Sequence, residues 1–336
     1  MDLSTLVMYA GFALASYSVV GNDVIQTLGT YLSSNKNRPW WVLWIFAGSI
    51  LVVALVMGYV NNDITYGRLD KIATPDTLSL WYLLPPLVLL IITRLGLPVS
   101  TTFLILTFFS ASSLPGMLNK SLFGYGVAFL SALIIYYLIA KTTEKRFHDH
   151  PLGSNTSFWT NTKLWTVAQW LSTGFLWWQW LQQDLANIYI YLGGGKNLTL
   201  IEFIFSLVII IGLLGFIFRS HGGAIQKIVN RKTNTSDIRS ATVIDLIYGL
   251  ILMLFKYNLL GLWEAKLPMS TTWVFLGLLG GREFAMRARL GMKLKTRVQS
   301  MIFSDLGKAT LGLIVSVTLV ILLYVAQGQD PSTLFD

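Results

Sequence analysis

Apolar residues along this chain come in long unbroken runs rather than in alternation or one-sided stripes. Stretches such as Val42 to Val60 and Ile201 to Phe218 hold almost no charge, and a helix needs roughly 20 mostly apolar residues to cross a bilayer. Taken in order, the runs predict ten segments: 5–32, 40–60, 80–93, 98–113, 121–140, 164–192, 199–218, 241–263, 268–281 and 306–328. The period-two alternation of a membrane barrel is missing from them. The expected fold class is an all-α polytopic membrane protein. Segments 80–93 and 98–113 are short, with Pro85 and Pro86 inside the first and Gly96-Leu97-Pro98 between the two. They either cross fully or form a re-entrant hairpin, and length favours the hairpin. Segments 241–263 and 268–281, joined through Lys266-Leu267-Pro268, would be the counterpart hairpin.

Polar groups inside these runs occur twice, in the same order. Asn22-Asp23-x-x-Gln26 lies in the first segment and Gln183-Asp184-x-x-Asn187 in the sixth. Leu97-Pro98-Val99-Ser100-Thr101-Thr102 follows the former, and Leu267-Pro268-Met269-Ser270-Thr271-Thr272 follows the latter at a similar distance. This is the signature of a duplicated five-segment unit. Because five is odd, the second copy starts on the opposite side of the membrane, so the repeats are inverted, with broken helices expected at the polar motifs. The first repeat is assigned to 1–145, a cytoplasmic linker to 146–163 and the second repeat to 164–336.

Composition supports the membrane reading. The chain has 336 residues, 54% hydrophobic and only 12% charged, against about 25% charged in soluble domains. Seventeen Lys and Arg fall in connections on one side and five on the other, which places the basic connections in the cytoplasm and both termini outside. That pattern accounts for the net charge of +9 without a nucleic-acid partner; the lipid bilayer is the expected partner. The stretch before the first segment has no basic residue, so a cleaved leader is not expected, and a multi-pass cell membrane protein of the bacterial inner membrane fits best. With no cysteine, disulfides, thiolate metal sites and cysteine nucleophiles are excluded.

An acid inside the hydrocarbon region is costly and marks function by default. Asp23 and Asp184, each with an amide before it and another three residues on, form a hard-oxygen setting for Na⁺, or could take up a proton. Interhelical hydrogen bonding is the structural alternative. Gly21 and Gly29 point to a bent helix around the first cluster. Ser100-Thr101-Thr102 and Ser270-Thr271-Thr272 follow a proline suited to a first helical turn, where free N–H groups, the positive dipole end and hydroxyls favour an anion. Two such termini could face one oxyanion, whose charge is offset by cations at Asp23 and Asp184, so that each ligand helps the other bind. No other cofactor is expected.

Weaker signals are Lys256 and Asn258, within segment 241–263, which could pair with an acid or the anion, or snorkel. Asp245, Glu202 and Asp305, near segment ends, are expected to be solvated. Arg94 and Glu264, at equivalent repeat positions, could gate the hairpin tips. His148, His150 and His221 form no metal-ligand pattern, and Gly193-Gly194-Gly195 reads as a turn.

These residues resemble the inorganic phosphate transporter family of sodium- or proton-coupled phosphate and sulfate permeases. Asn22, Asp23, Val24 and Gln26, and Gln183, Asp184, Leu185, Ala186 and Asn187, match its G-x-N-D-V-A-N-A-like motif. Pro98, Ser100, Thr101 and Thr102, with Pro268, Ser270, Thr271 and Thr272, match its P-x-S-T-T-H motif. Phe103 and Trp273 stand where that pattern often has His, Gly21 is one position closer to Asn22, and Ile190 replaces an expected glycine. The resemblance implies inverted repeats in a homodimer, Na⁺ at Asp23 and Asp184 with Asn22 and Gln183 in the ion sites, and an inorganic oxyanion bound by the Ser-Thr-Thr triplets with Gln26 and Asn187. The expected function is Na⁺-coupled phosphate import, with sulfate or bicarbonate, or proton coupling, as alternatives. An intramembrane aspartate enzyme and a passive channel are the other classes.

Overall fold

The computed structural model describes residues 2–75, 77–95, 99–150, 152–153, 157–223, 226, 237–290 and 297–326. Pro98, and the side chains of His148 and Asp305, lie outside the described residues. All regular structure among the described residues is helical, as expected where no water is available to satisfy exposed backbone groups. The helices that build the bundle and its site are α1 (Leu3–Ser34), α2 (Trp40–Val60), α3 (Leu80–Arg94), α4 (102–109), α5 (Leu114–Ile139), α6 (Thr162–Asp184), α7 (Ala186–Tyr189), α8 (Leu200–Arg219), α9 (Ile238–Lys256), α10 (Thr271–Leu290) and α11 (Arg297–Ala326), with a short helix at Lys145–Asp149. Five apolar stretches among the described residues are long enough to cross a membrane: α1, α2, Ala111–Thr143 around α5, α8 and α9. The molecule is a polytopic helical membrane protein.

Local chemistry sets the helix starts. Asp2 accepts from the Thr5 amide at 2.8 Å and Asn161 from the Leu164 amide at 3.0 Å. Thr199 and Glu202 form a reciprocal capping box at the head of α8. Each satisfies a first-turn donor with no intrahelical partner. Pro85 and Pro86 do not interrupt the α-helical part of α3, Leu84–Arg94. They lie in its first turn, after a 3₁₀ turn at Leu80–Leu83, where a missing N–H costs nothing.

Several segment ends differ from expectation. Pro115 starts α5 well before residue 121, so Lys120 is in the helix and 4% exposed instead of lying in a connection. α9 stops at Lys256, leaving Asn258 beyond it with φ 48°. The Lys256 ammonium sits over the Tyr66 and Tyr257 rings at 5.0 and 4.7 Å. α10 runs past its apolar stretch to Leu290: Arg282 and Arg289 lie over the Tyr136 and Tyr137 rings at 5.3 and 4.8 Å, which lets cationic side chains extend the helix. α11 likewise begins at Arg297 instead of 306.

Two helix pairs build the centre, α5 with α10 and α6 with α9. The first is backbone to backbone. A Cβ on Gly277 would lie 2.4 Å from the Tyr125 carbonyl oxygen, and one on Gly281 2.1 Å from that of Phe129. This is the small-xxx-small contact that replaces hydrophobic driving force in lipid. α6 is more polar, and its Gln169, Thr173, Gln179, Gln182, Gln183 and Asp184 are all buried. Packed against it, Asp245 of α9 is fully buried, contrary to the solvated position expected near a segment end. Its two oxygens accept from Thr30 Oγ1 at 2.5 Å and Thr173 Oγ1 at 2.6 Å, so α1, α6 and α9 meet at one carboxylate.

Candidate ion and oxyanion site

Asp23 sits where α1 widens into a π turn, Val20–Val24. Such a turn frees a carbonyl from the regular ladder, and Thr27 Oγ1 donates to the Asp23 carbonyl at 3.0 Å. Gly21 lies inside this widened turn, whereas Gly29 lies in the regular helix after it. The equivalent acid ends a helix: α6 stops at Asp184 and α7 begins at Ala186. Both acids are buried, at 2% and 0% exposure.

The later motifs begin α4 and α10 as expected. Ser100 Oγ accepts from the Phe103 amide at 3.2 Å, and Ser270 Oγ from the Trp273 amide at 3.3 Å. Both serines thus act as N-caps, leaving the following threonine hydroxyls to reach the acids. The Ser270 amide donates to Ser121 Oγ at 2.8 Å, and Tyr248 donates to the Thr271 carbonyl at 3.0 Å, so α5 and α9 position the start of α10. The two helix starts face one another: Thr102 Oγ1 lies 3.4 Å from the Met269 carbonyl oxygen, and the Phe103 and Trp273 rings pack edge to face at 5.7 Å.

One cluster gathers the residues of all four motifs. Asp23 Oδ1 accepts from Asn22 Nδ2 at 2.8 Å, Gln26 Nε2 at 3.2 Å and Thr272 Oγ1 at 3.3 Å, while Thr101 donates to Oδ2. Asp184 Oδ1 accepts from Asn187 Nδ2 at 2.9 Å and Oδ2 from Thr271 Oγ1 at 2.7 Å. Asn187 Nδ2 also reaches Thr101 Oγ1 at 2.9 Å and Thr102 Oγ1 at 3.3 Å. Thr101 therefore joins the two acids in a chain running Asp23, Thr101, Asn187, Asp184. Asn22 also donates to the Val99 carbonyl at 2.8 Å, and Gln183 to the Leu252 carbonyl at 3.2 Å.

The donor and acceptor balance is uneven. Gln26 Oε1, Gln183 Oε1 and Asn187 Oδ1 are buried oxygens with no hydrogen-bond donor, and no described Lys or Arg pairs with Asp23 or Asp184. Buried oxygens without donors are costly, and amide, hydroxyl and carboxylate oxygens suit a hard cation. No trio of His, Cys, Asp or Glu converges among the described residues.

Arg94 and Glu264 take no part in this cluster; both are exposed, and the Glu264 carboxylate lies 3.8 Å from Lys71. Sequence reasoning passed over Arg68, which is 1% exposed although it lies in a connection; nothing in its local pattern marks it. Asp245 carried a signal, an acid about two turns into an apolar helix, that was read as an end effect.

No family model matches the chain, and no curated protein matches it. Among solved structures, one described as "The sodium-dependent phosphate transporter" matches with a TM-score of 0.58 at 16% identity, covering 94% of this chain and 96% of that chain. The two share a fold.

Proposed function

We propose that this protein is a secondary transporter that imports inorganic phosphate with Na⁺ by alternating access. The observation that carries the reading is the single buried cluster in which both acid–amide motifs meet both Ser-Thr-Thr helix starts, linked through Thr101. The helix starts and their hydroxyls supply the oxyanion site, from Ser100, Thr101, Thr102, Ser270, Thr271 and Thr272 with Gln26 and Asn187 alongside. Asp23 and Asp184, with Asn22 and Gln183, supply the ion sites. Three amide oxygens lacking donors favour a metal cation over a proton, because a proton would occupy one carboxylate oxygen and leave them unmatched. The fold shared with a sodium-dependent phosphate transporter points to the same substrate and ion.

In this reading residues 1–145 and 164–336 are inverted repeats whose interface is the cluster, and rocking of one against the other alternates access. A binding role explains why both acids bond to Ser-Thr-Thr hydroxyls at two helix starts, which an aspartate acid–base enzyme would not need. The test is uptake of labelled phosphate into proteoliposomes under an inward Na⁺ gradient, with a proton gradient alone and excess unlabelled sulfate or bicarbonate as comparisons. Na⁺-driven uptake that neither competitor suppresses is the expected result. Flux indifferent to both gradients would overturn coupling.

A further inference from the structure

Outside the central cluster, two basic side chains converge on one backbone oxygen. The Ala265 carbonyl accepts from Arg68 Nη1 and from Lys120 Nζ at 3.2 Å, and Lys120 also donates to the carbonyls of Glu264 and Leu267, both at 2.7 Å. Lys120 thus points its amino group at three carbonyl oxygens. Neither side chain has a described carboxylate within ion-pairing distance, and the nearby Glu264 side chain faces Lys71 instead. Arg68 Nε and Nη2 are buried and have no acceptor. Those two nitrogens form the side-on edge of the guanidinium, the fork that binds two oxygens of a carboxylate or phosphate. Burial lowers Arg68 only to about 10, so it is cationic at neutral pH.

A buried guanidinium edge without an acceptor is costly to keep in the interior, and an anion seated against it for part of the cycle would satisfy both nitrogens. Lys120 also lines a cleft of about 530 Å³ whose wall includes Asn119, Trp263 and Glu264. The next residue, Ser121, accepts from the Ser270 amide at the head of α10. Arg68 is also within electrostatic reach of Asp184.

We propose that Arg68 and Lys120 form a second oxyanion subsite, set between this cleft and the Ser270-Thr271-Thr272 helix start. The Arg68 Nε–Nη2 edge grips two oxygens of the anion, while Lys120, held by three carbonyls, fixes the Ala265 carbonyl that orients the guanidinium. The inference rests on the transporter reading for its purpose: the subsite collects the oxyanion at the end of the bundle carrying connections 61–79 and 257–270, and passes it to the threonines.

The test is equilibrium dialysis of labelled phosphate and labelled sulfate against purified full-length protein in detergent with Na⁺, using wild type, Arg68→Gln, Arg68→Lys, and Thr101→Ala/Thr271→Ala alone, with Arg68→Gln and with Arg68→Lys. Thermal unfolding checks each variant. Residual anion binding in the threonine double variant that Arg68→Gln removes is expected, as is about tenfold weaker binding in that background for Arg68→Lys, since an ammonium cannot form the two-pronged contact. If Arg68→Gln fails to fold, Arg68→Lys decides, because it keeps a donor for Ala265; unchanged residual binding in it overturns the subsite. Loss of all binding in the threonine double variant, with Arg68→Gln alone within twofold of wild type, also overturns the subsite and leaves the central site standing. Binding that ignores the threonines and vanishes with Arg68→Gln does the reverse.

Discussion

Thr101 bonds to the acid motifs of both halves, donating to Asp23 and accepting from Asn187. Replacing it with Val keeps shape but leaves Asp23 Oδ2 and Asn187 Nδ2 each short of a partner, at about 1–3 kcal/mol per buried group. Thr101→Val should therefore reduce coupled uptake far more than Thr272→Val, whose hydroxyl lies at a longer 3.3 Å from Asp23; equal effects in proteoliposome flux would count against the shared-hydroxyl link. Asp23→Asn and Asp184→Asn should each abolish Na⁺-coupled uptake while the unfolding temperature stays near wild type, and wild-type flux in both would remove their assigned roles. These residues were legible because an acid or a Ser-Thr-Thr triplet inside an apolar run is conspicuous, and doubly so when the pattern recurs. Arg68 was not, because nothing local separates a buried arginine in a connection from a solvated one.

At the scale of helices and their connections, contacts follow chemistry that hydropathy cannot report. The α5–α10 seam depends on Gly281, where a Cβ would press on the Phe129 carbonyl oxygen. Gly281→Ala should destabilise by about 1–3 kcal/mol, the usual cost of overpacking, whereas Gly126→Ala, with nothing within 4 Å of its added Cβ, should be close to neutral; thermal unfolding in one detergent compares them. Arg239, at the head of α9, is fully buried and donates to the carbonyls of Phe147, His150 and Trp159 at 2.5, 2.9 and 2.7 Å and to Asp237 at 2.6 Å. Arg239→Ala should cost about 3 kcal/mol, the lower end for breaking a buried pair because Asp237 keeps contact with water. At the opposite end of α9, Asp70 accepts from Lys196 at 2.7 Å and Lys266 at 2.5 Å, tying three connections together. Those hydrogen bonds hold its carboxyl below the usual range, so its contribution is complete above the unfolded value near 4 and fades as pH falls through the lower folded value. The gap in unfolding temperature between wild type and Asp70→Asn should be present at pH 7 and shrink progressively as pH falls below the unfolded value; a gap that is unchanged in acid would rule the pairing out as its source.

For the whole molecule, the helical membrane class and the presence of polar motifs inside the apolar runs followed from sequence alone. The physical reason is that a bilayer demands long apolar runs and penalises every acid and amide within them, so both stand out without a fold. Tertiary structure decided what those residues do to one another. It brought Asp23, Thr101, Asn187 and Asp184 into one hydrogen-bonded chain, buried Asp245 between Thr30 and Thr173, and drew Arg68 and Lys120 onto the Ala265 carbonyl. Such pairings join residues far apart in the chain, and their energies depend on distance, orientation and exclusion of water, none of which a linear pattern of residue types encodes.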